Sequence, residues 1–256
     1  MNKQEYILFI FEGLKTEPII FENIKKYFLQ KKEMNVRQDI IFCYGTVIYK
    51  LYQEFFIDGS LDKDLDLVTI LKPRNKDSEI IKPSQVSEIY LFFDYDSHAS
   101  NASDIKLQSM LKLFNDETSD YGKLFVSYPM VESLQHVKKE VNFHETIEIS
   151  QKEYKKIAKE NCEKEFLHFN DYTEEIWIYL INQHSKKANF IVNHSFHFPS
   201  TVIEQLEIFD NQKIKYIDIE NKVAVLSAFP IILLDYYVIN FFKQNDNLQM
   251  NKDSNE

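Results

Sequence analysis

The run Tyr6-Ile-Leu-Phe-Ile-Phe-Glu-Gly-Leu-Lys-Thr-Glu-Pro-Ile-Ile-Phe21 carries the reading of the fold. Its first six residues are apolar without alternation, the pattern of a strand covered on both faces rather than one with a wet side. Glu12-Gly13 ends the run, and glycine at that place permits a sharp turn behind the glutamate. From Glu17 to Leu29 the residues Ile20, Phe21, Ile24, Tyr27 and Phe28 recur at the three-and-four spacing of an amphipathic helix. Thr16 is the expected N-cap, and Pro18 falls in the first turn, where its missing N–H costs nothing. A buried strand passing directly into a helix is the opening unit of a parallel α/β sheet.

The unit recurs on the C-terminal side. Asp39 to Tyr44 reads as a second strand, and Thr46 to Phe56 as a helix with Val47, Ile48, Leu51, Tyr52 and Phe55 on one side. Asp58 to Ser87 is a lysine- and aspartate-rich connection with Pro73 and Pro83, holding one short helix over Leu65 to Leu71. Glu88 to Phe93 is a third strand ending in Asp94-Tyr95-Asp96, Ser103 to Phe114 a helix, and Gly122 to Tyr128 a fourth strand. The expectation is an α/β domain over 1–140 built on a mainly parallel four-stranded sheet. After Val131 no further strand is expected. Helical patterns over Gln151–Lys164, Tyr172–Lys187, Ser200–Phe209 and Lys222–Phe242 make 141–243 a mostly helical C-terminal region, and 244–256 is a polar, frayed tail.

Composition narrows the chemistry. The chain has 256 residues, 44% hydrophobic and 27% charged, which is ordinary globular composition. Cys43 and Cys162 are too few for a disulfide framework or a four-thiolate zinc site, so a reducing, cytoplasmic setting is expected. Gly13, Gly45, Gly59 and Gly122 stand far apart, whereas dinucleotide-binding and phosphate-loop fingerprints need clustered glycines. The sequence therefore argues against a Rossmann dehydrogenase or a stand-alone ATPase. No G-x-S-x-G elbow occurs, and Cys43 at a strand end reads as a small buried hydrophobe. His184, His194 and His197 lack the spacing of a zinc motif and read as packing or loop residues. The apolar stretch Val223 to Phe242 would just span a bilayer, but Asp235 near its middle costs roughly 2.5 to 3.5 kcal/mol there, so a buried core helix is expected instead. The net charge of −10 repels phosphate backbones at long range and suits a magnesium site or a basic partner.

In a parallel sheet the ligand site lies at the carboxyl ends of the strands. Strand one ends in Glu12, strand three in Asp94 and Asp96, and the segment after strand four, Ser127-Tyr-Pro-Met-Val-Glu132, adds another acid. Neighbouring strands are about 4.8 Å apart, so these carboxylates are expected to converge on one or two divalent ions. Glu17 opens the following helix, whose positive N-terminus favours a nearby phosphate. His98, just past Asp96, is the one histidine expected to have a role at the site.

These motifs resemble those of RloB-like proteins, a branch of the TOPRIM superfamily. Ile7 to Phe21 is similar to that family's strand-Glu-Gly-x-Lys-Thr-Glu-Pro-x-x-Phe opening, and Ile89-Tyr-Leu-Phe-Phe-Asp-Tyr-Asp96 to its strand and D-x-D. Ser127 to Leu134 resembles its third block, with Tyr128 in place of asparagine and Val131 in place of an aromatic residue. The resemblance covers about the first 140 residues and implies a Rossmann-like TOPRIM fold. Carried over, Glu12 becomes a metal ligand and general acid/base, and Asp94 and Asp96 hold Mg2+ or Mn2+. Glu17 and Glu132 become further metal ligands, Lys15 stabilises charge on the phosphoryl group, and Ser127 is auxiliary. The implied protein is a metal-dependent nuclease acting on DNA or RNA, including tRNA, as effector of a bacterial anti-phage or abortive-infection system. An ABC-type ATPase is the implied partner, no membrane is involved, and a homodimer is left open. The alternative from another class is a non-catalytic acidic adaptor on a degenerate TOPRIM scaffold.

Overall fold

The computed structural model describes residues 5–29, 37–62, 65–71, 82–139, 143–149 and 152–236. The expected frayed tail over 244–256 lies outside them. The chain divides into two compact units, Met1–Val126 and Ser127–Glu256, an earlier division than the expected one at residue 140. Residues just after the fourth strand take their partners from the second unit: Tyr128 bridges antiparallel to Leu226, with both backbone N–H groups donating across the pair.

In the first unit, β1 (Glu5–Phe11) is followed by α1 (Thr16–Ile24), which widens into a π-helical turn over Lys25–Leu29. β2 (Arg37–Cys43) leads to α2 (Ile48–Phe55), then to a hairpin of β3 (Phe56–Ile57) and β4 (Ser60–Leu61), and to α3 (Leu67–Leu71). β5 (Val86–Asp94) leads to α4 (Asp104–Leu113), β6 (Asn115–Asp116) and β7 (Gly122–Ser127). One five-stranded sheet has the order β2-β1-β5-β7-β6. β1 pairs parallel with both β2 and β5, while β6 runs antiparallel to β7. The expected α/β class and mainly parallel sheet are thus present. The fifth strand was not expected because two residues are too few to show a strand period.

Burial fits the place of β1 inside the sheet, between β2 and β5. Ile7 to Phe11 are each at most 1% exposed, and since successive strand residues point to opposite faces, both faces are covered. Burying each such side chain contributes about 1.5–3 kcal/mol before the entropy of ordering is subtracted. An aromatic row forms on one face: Phe9 and Phe11 meet Phe21 of α1 at 4.1 and 5.5 Å, Phe9 stacks on Tyr90 at 5.4 Å, and Phe92 on Phe125 at 5.7 Å. Gly122 opens β7 with φ of 81°, and a Cβ there would stand 2.7 Å from the Ile89 carbonyl oxygen, so this close strand approach admits only glycine.

The second unit holds two short strands where none was expected among its helices. β8 (Thr146–Glu148) pairs antiparallel with β9 (Lys222–Ala224), alongside α5 (Tyr154–Glu160), α6 (Glu174–Asn193), α7 (Gln205–Gln212), α8 (Asp218–Glu220) and α9 (Ala228–Tyr236). The expected helix over Lys222–Phe242 is therefore a strand followed by a shorter helix, and 237–242 lies outside the described residues. Pro230 accounts for the start: it sits in the first turn of α9, where the absent N–H is harmless. The Gln212 side chain acts as a strand partner for Ala224, donating to its carbonyl at 2.7 Å and accepting from its N–H at 2.8 Å. Thr173 caps α6 by accepting from Ile176 N–H, and Trp177 on the same helix is fully buried. Among the described residues no helix is long and apolar enough to cross a membrane.

Candidate carboxylate site

Because β1 and β5 are parallel neighbours, their carboxyl ends bring Glu12 and Asp94 together. The Glu12 N–H donates to the Phe92 carbonyl at 3.0 Å, and the Asp94 N–H donates to Glu12 Oε2 at 3.1 Å. The Glu12 carbonyl in turn accepts from Gly45 N–H at 2.9 Å, which ties the same point to the chain just beyond β2. Gly45 has φ of 78°, a conformation glycine adopts without strain.

Gly13 lies in the bend that joins β1 to α1, where a turn was expected, and serves a second purpose as well. It is not among the glycines with positive φ, which are Gly45, Gly59 and Gly122. Its missing side chain instead admits Glu17: Gly13 N–H donates to Glu17 Oε1 at 3.0 Å, and a Cβ on residue 13 would meet Glu17 Oε2 at 2.4 Å. Glu17 is 6% exposed in the first turn of α1, where the helix dipole favours a negative charge. The expected Thr16 cap is absent. Lys15 takes the N-cap position without a side-chain cap bond, and Thr16 is the first helical residue.

The D-x-D motif splits as strand alternation requires. Tyr95 is 4% exposed, and its hydroxyl donates to Asp104 Oδ1 at 2.9 Å, while Asp94 and Asp96 are half-buried. Asp96 Oδ1 accepts from the backbone N–H of His98 at 3.1 Å; the His98 side chain is exposed, as is Lys15.

Electrostatics mark Glu12 as the centre of this group. Burial raises its carboxyl to about 8, the charges of Glu17 and Asp96 push in the same direction, and the Asp94 N–H opposes them. The Cys43 thiol is also raised, first by burial and then by Glu17, and the residue is half-buried at the end of β2, less enclosed than the buried hydrophobe expected there. Four of the expected residues, Glu12, Glu17, Asp94 and Asp96, therefore share one neighbourhood.

The other two expected acceptors belong to the second unit and have partners there. Ser127 Oγ accepts from Ala228 N–H at 3.2 Å at the start of α9, and Glu132 Oε1 pairs with Lys155 Nζ at 3.1 Å. His184 is fully buried, and desolvation lowers it to about 3; its Nδ1 accepts from Ser227 N–H at 3.1 Å. His194 forms the left-handed C-cap of α6, and the His197 carbonyl accepts from Asn189 at 2.8 Å. Among the described residues, no group of three or more His, Cys, Asp or Glu side chains is placed so as to hold a metal ion.

Two members of the group were not singled out from sequence. Asp104, the first residue of α4, receives the Tyr95 hydroxyl. Tyr49, in the first turn of α2, is 1% exposed and lies within the electrostatic influence of Asp104, Asp96 and Glu12. Inspecting strand ends for acids passes over both, because Tyr49 is no acid and Asp104 is ten residues beyond its strand. The chain matches no protein-family model, no curated protein and no solved structure.

Proposed function

We propose that the carboxylates at the ends of β1 and β5 form a divalent-cation site on a TOPRIM-like scaffold, and that the chain is a metal-dependent nuclease. Its targets are DNA or RNA, with tRNA among them, and it acts as effector of an anti-phage system with an ABC-type ATPase partner. The observation that carries this reading is the Glu12 carboxyl, bound by Asp94 N–H and raised to about 8 by burial and the charges of Glu17 and Asp96. Like charges are crowded where adjacent parallel strands end, the place at which α/β sheets bind ligands.

The donor set is all carboxylate oxygen, which fits magnesium or manganese better than zinc or copper. Glu12, Asp94, Asp96 and Glu17 would hold the ion, which supplies Lewis-acid stabilisation of charge developing on a phosphoryl group. Glu12 contributes a carboxyl whose affinity for a proton lies near neutrality, as suits a group that takes and returns one. Lys15, exposed in the segment between β1 and α1, would offer an ammonium to a substrate phosphate. Glu17 is held in the first turn of α1 by the hydrogen bond its Oε1 accepts from Gly13 N–H.

The adaptor alternative is favoured by one observation: no three of these donors are gathered in metal-binding geometry among the described residues. The two readings part on cleavage of labelled DNA and total tRNA with Mg2+ or Mn2+, with and without an ATPase encoded beside the gene. Wild type is expected to cleave, and Glu12→Ala and Asp94→Ala to lose about 10²-fold or more in rate. Equal background in all three proteins, with the partner present, leaves the adaptor.

A further inference from the structure

We propose that His144, Phe190 and Phe196 of the second unit form a stacking platform for unpaired bases of a single-stranded nucleic acid; this rests on reading nucleic acid as the protein's substrate. The His144 ring is exposed, and its centroid lies 4.7 Å from that of Phe190 and 4.8 Å from that of Phe196, while the two phenylalanine rings are 6.0 Å apart. The end of α6 brings them together. Phe190 stands in its last turn, and His194, the left-handed C-cap, turns the chain back so that Phe196 returns toward the helix. Asn189 Nδ2 donates to the His197 carbonyl at 2.8 Å, and Asn189 Oδ1 accepts from Asn193 Nδ2 at 2.9 Å, which fastens the returning segment.

Core packing does not call for rings in this place. Phe143, Phe166 and Phe209 of the same unit are at most 1% exposed, whereas Phe190, Phe196 and Phe198 are half-buried and His144, His194 and His197 are exposed. Charge decides what these faces can receive. The chain carries 40 acids, yet none between Ile176 and Ile203. Lys186 lies one turn before Phe190 on the same side of α6, and the Lys215 ammonium donates to the Ile191 and Val192 carbonyls at the end of that helix. Glu145, next to His144, is half-buried, and its charge acts on the Lys187 ammonium inside the unit. The net charge of −10 repels a phosphate backbone at long range, and this acid-free stretch is where one can come close. Aromatic faces flanked by ammonium groups hold single strands: bases stack on the rings, phosphates meet the cations, and exposed imidazoles offer an N–H to base edges. In a duplex the base faces are already stacked on one another.

The test is fluorescence anisotropy of labelled oligouridylate, oligothymidylate and a mixed-sequence duplex with the full chain in EDTA, where metal-dependent cleavage plays no part. Wild type is expected to bind the single strands about fivefold or more tightly than the duplex. Phe196→Ala and His144→Ala are each expected to weaken single-strand binding about fivefold or more, and Phe196→Tyr, which keeps the stacking face, to stay within about twofold of wild type. No saturable binding by wild type, equal affinity for the duplex, or unchanged affinity in the alanine variants overturns the platform, as does a loss of self-association in place of a loss of binding. If Phe196→Ala does not fold, His144→Ala, at an exposed position, decides. Cleavage with Mg2+ is read separately. A protein that binds single strands in EDTA and cleaves none keeps the platform and loses the nuclease reading; one that cleaves while its alanine variants bind like wild type loses the platform alone.

Discussion

In metal-free protein, raising the pH from 5 to 9 is expected to destabilise the first unit by about 2–3 kcal/mol through Glu12 alone. The folded carboxyl lies at about 8 and the unfolded one at the ordinary 4.5. Between those values the folded state keeps a proton that the unfolded state has lost, so stability is fully present below 4.5 and is lost as the pH rises through 8. The cause is physical crowding: burial first, then Glu17 and Asp96. Because Glu12 is half-buried rather than sealed, the magnitude is set below the full linkage value. Glu12→Gln removes the titrating group while keeping its shape, and is expected to flatten the dependence and stabilise the unit at pH 9. Urea unfolding in EDTA at pH 5, 7 and 9, read by exchange of β1 amides, checks this. Identical pH slopes in both proteins would refute it.

The second unit is expected to respond in the opposite direction, through Lys187. This lysine is 1% exposed on α6; its ammonium donates to the Glu145 carbonyl at 3.0 Å and lies 4.9 Å over the Phe143 ring. An ammonium has three donors, and one carbonyl with an aromatic face is poor compensation for lost hydration. Burial therefore lowers Lys187 to about 7, with the Glu145 charge opposing. His136 and His184 stand in the same neighbourhood, and Lys187 lowers both further. Here the unfolded state binds the extra proton between 7 and 10.5, so the unit gains about 2 kcal/mol or more on going from pH 7 to 10. Lys187→Met is expected to abolish that gain and to stabilise the unit at pH 7 by about 1–2 kcal/mol, after about 1 kcal/mol for the carbonyl left without its donor. Exchange of α6 amides in the two proteins measures it, and a less stable methionine variant at pH 7 would contradict it.

Much of the first unit was legible because its signals are local and repeated. The unbroken run Tyr6 to Phe11 and the three-and-four spacing after Glu17 each specify an element without reference to the rest of the chain. The pairing of Glu12 with Asp94 followed from the rule that ligand sites sit at strand ends, since β1 and β5 are neighbours. Gly13 was read only as part of the turn after β1; that a Cβ there would also strike Glu17 is a contact only coordinates reveal. Tyr49 and Asp104 were invisible for a different reason: what matters about them is α2 lying on α4, a long-range contact with no sequence period. In the second unit, Lys222 to Phe242 read as one apolar helix because a three-residue strand such as Lys222–Ala224 is too short to show alternation, and its partner Thr146–Glu148 is remote in sequence.

The most direct test of the carboxylate site is Mn2+ binding to the purified full chain at pH 7.5, followed by water-proton relaxation or calorimetry, for wild type, Asp94→Asn and Glu12→Gln. Saturable binding by wild type, weakened at least tenfold in both variants whose circular dichroism is unchanged, is the expected result. Absence of saturable binding, or equal affinity in all three proteins, would contradict the assignment of Glu12 and Asp94 to a cation site.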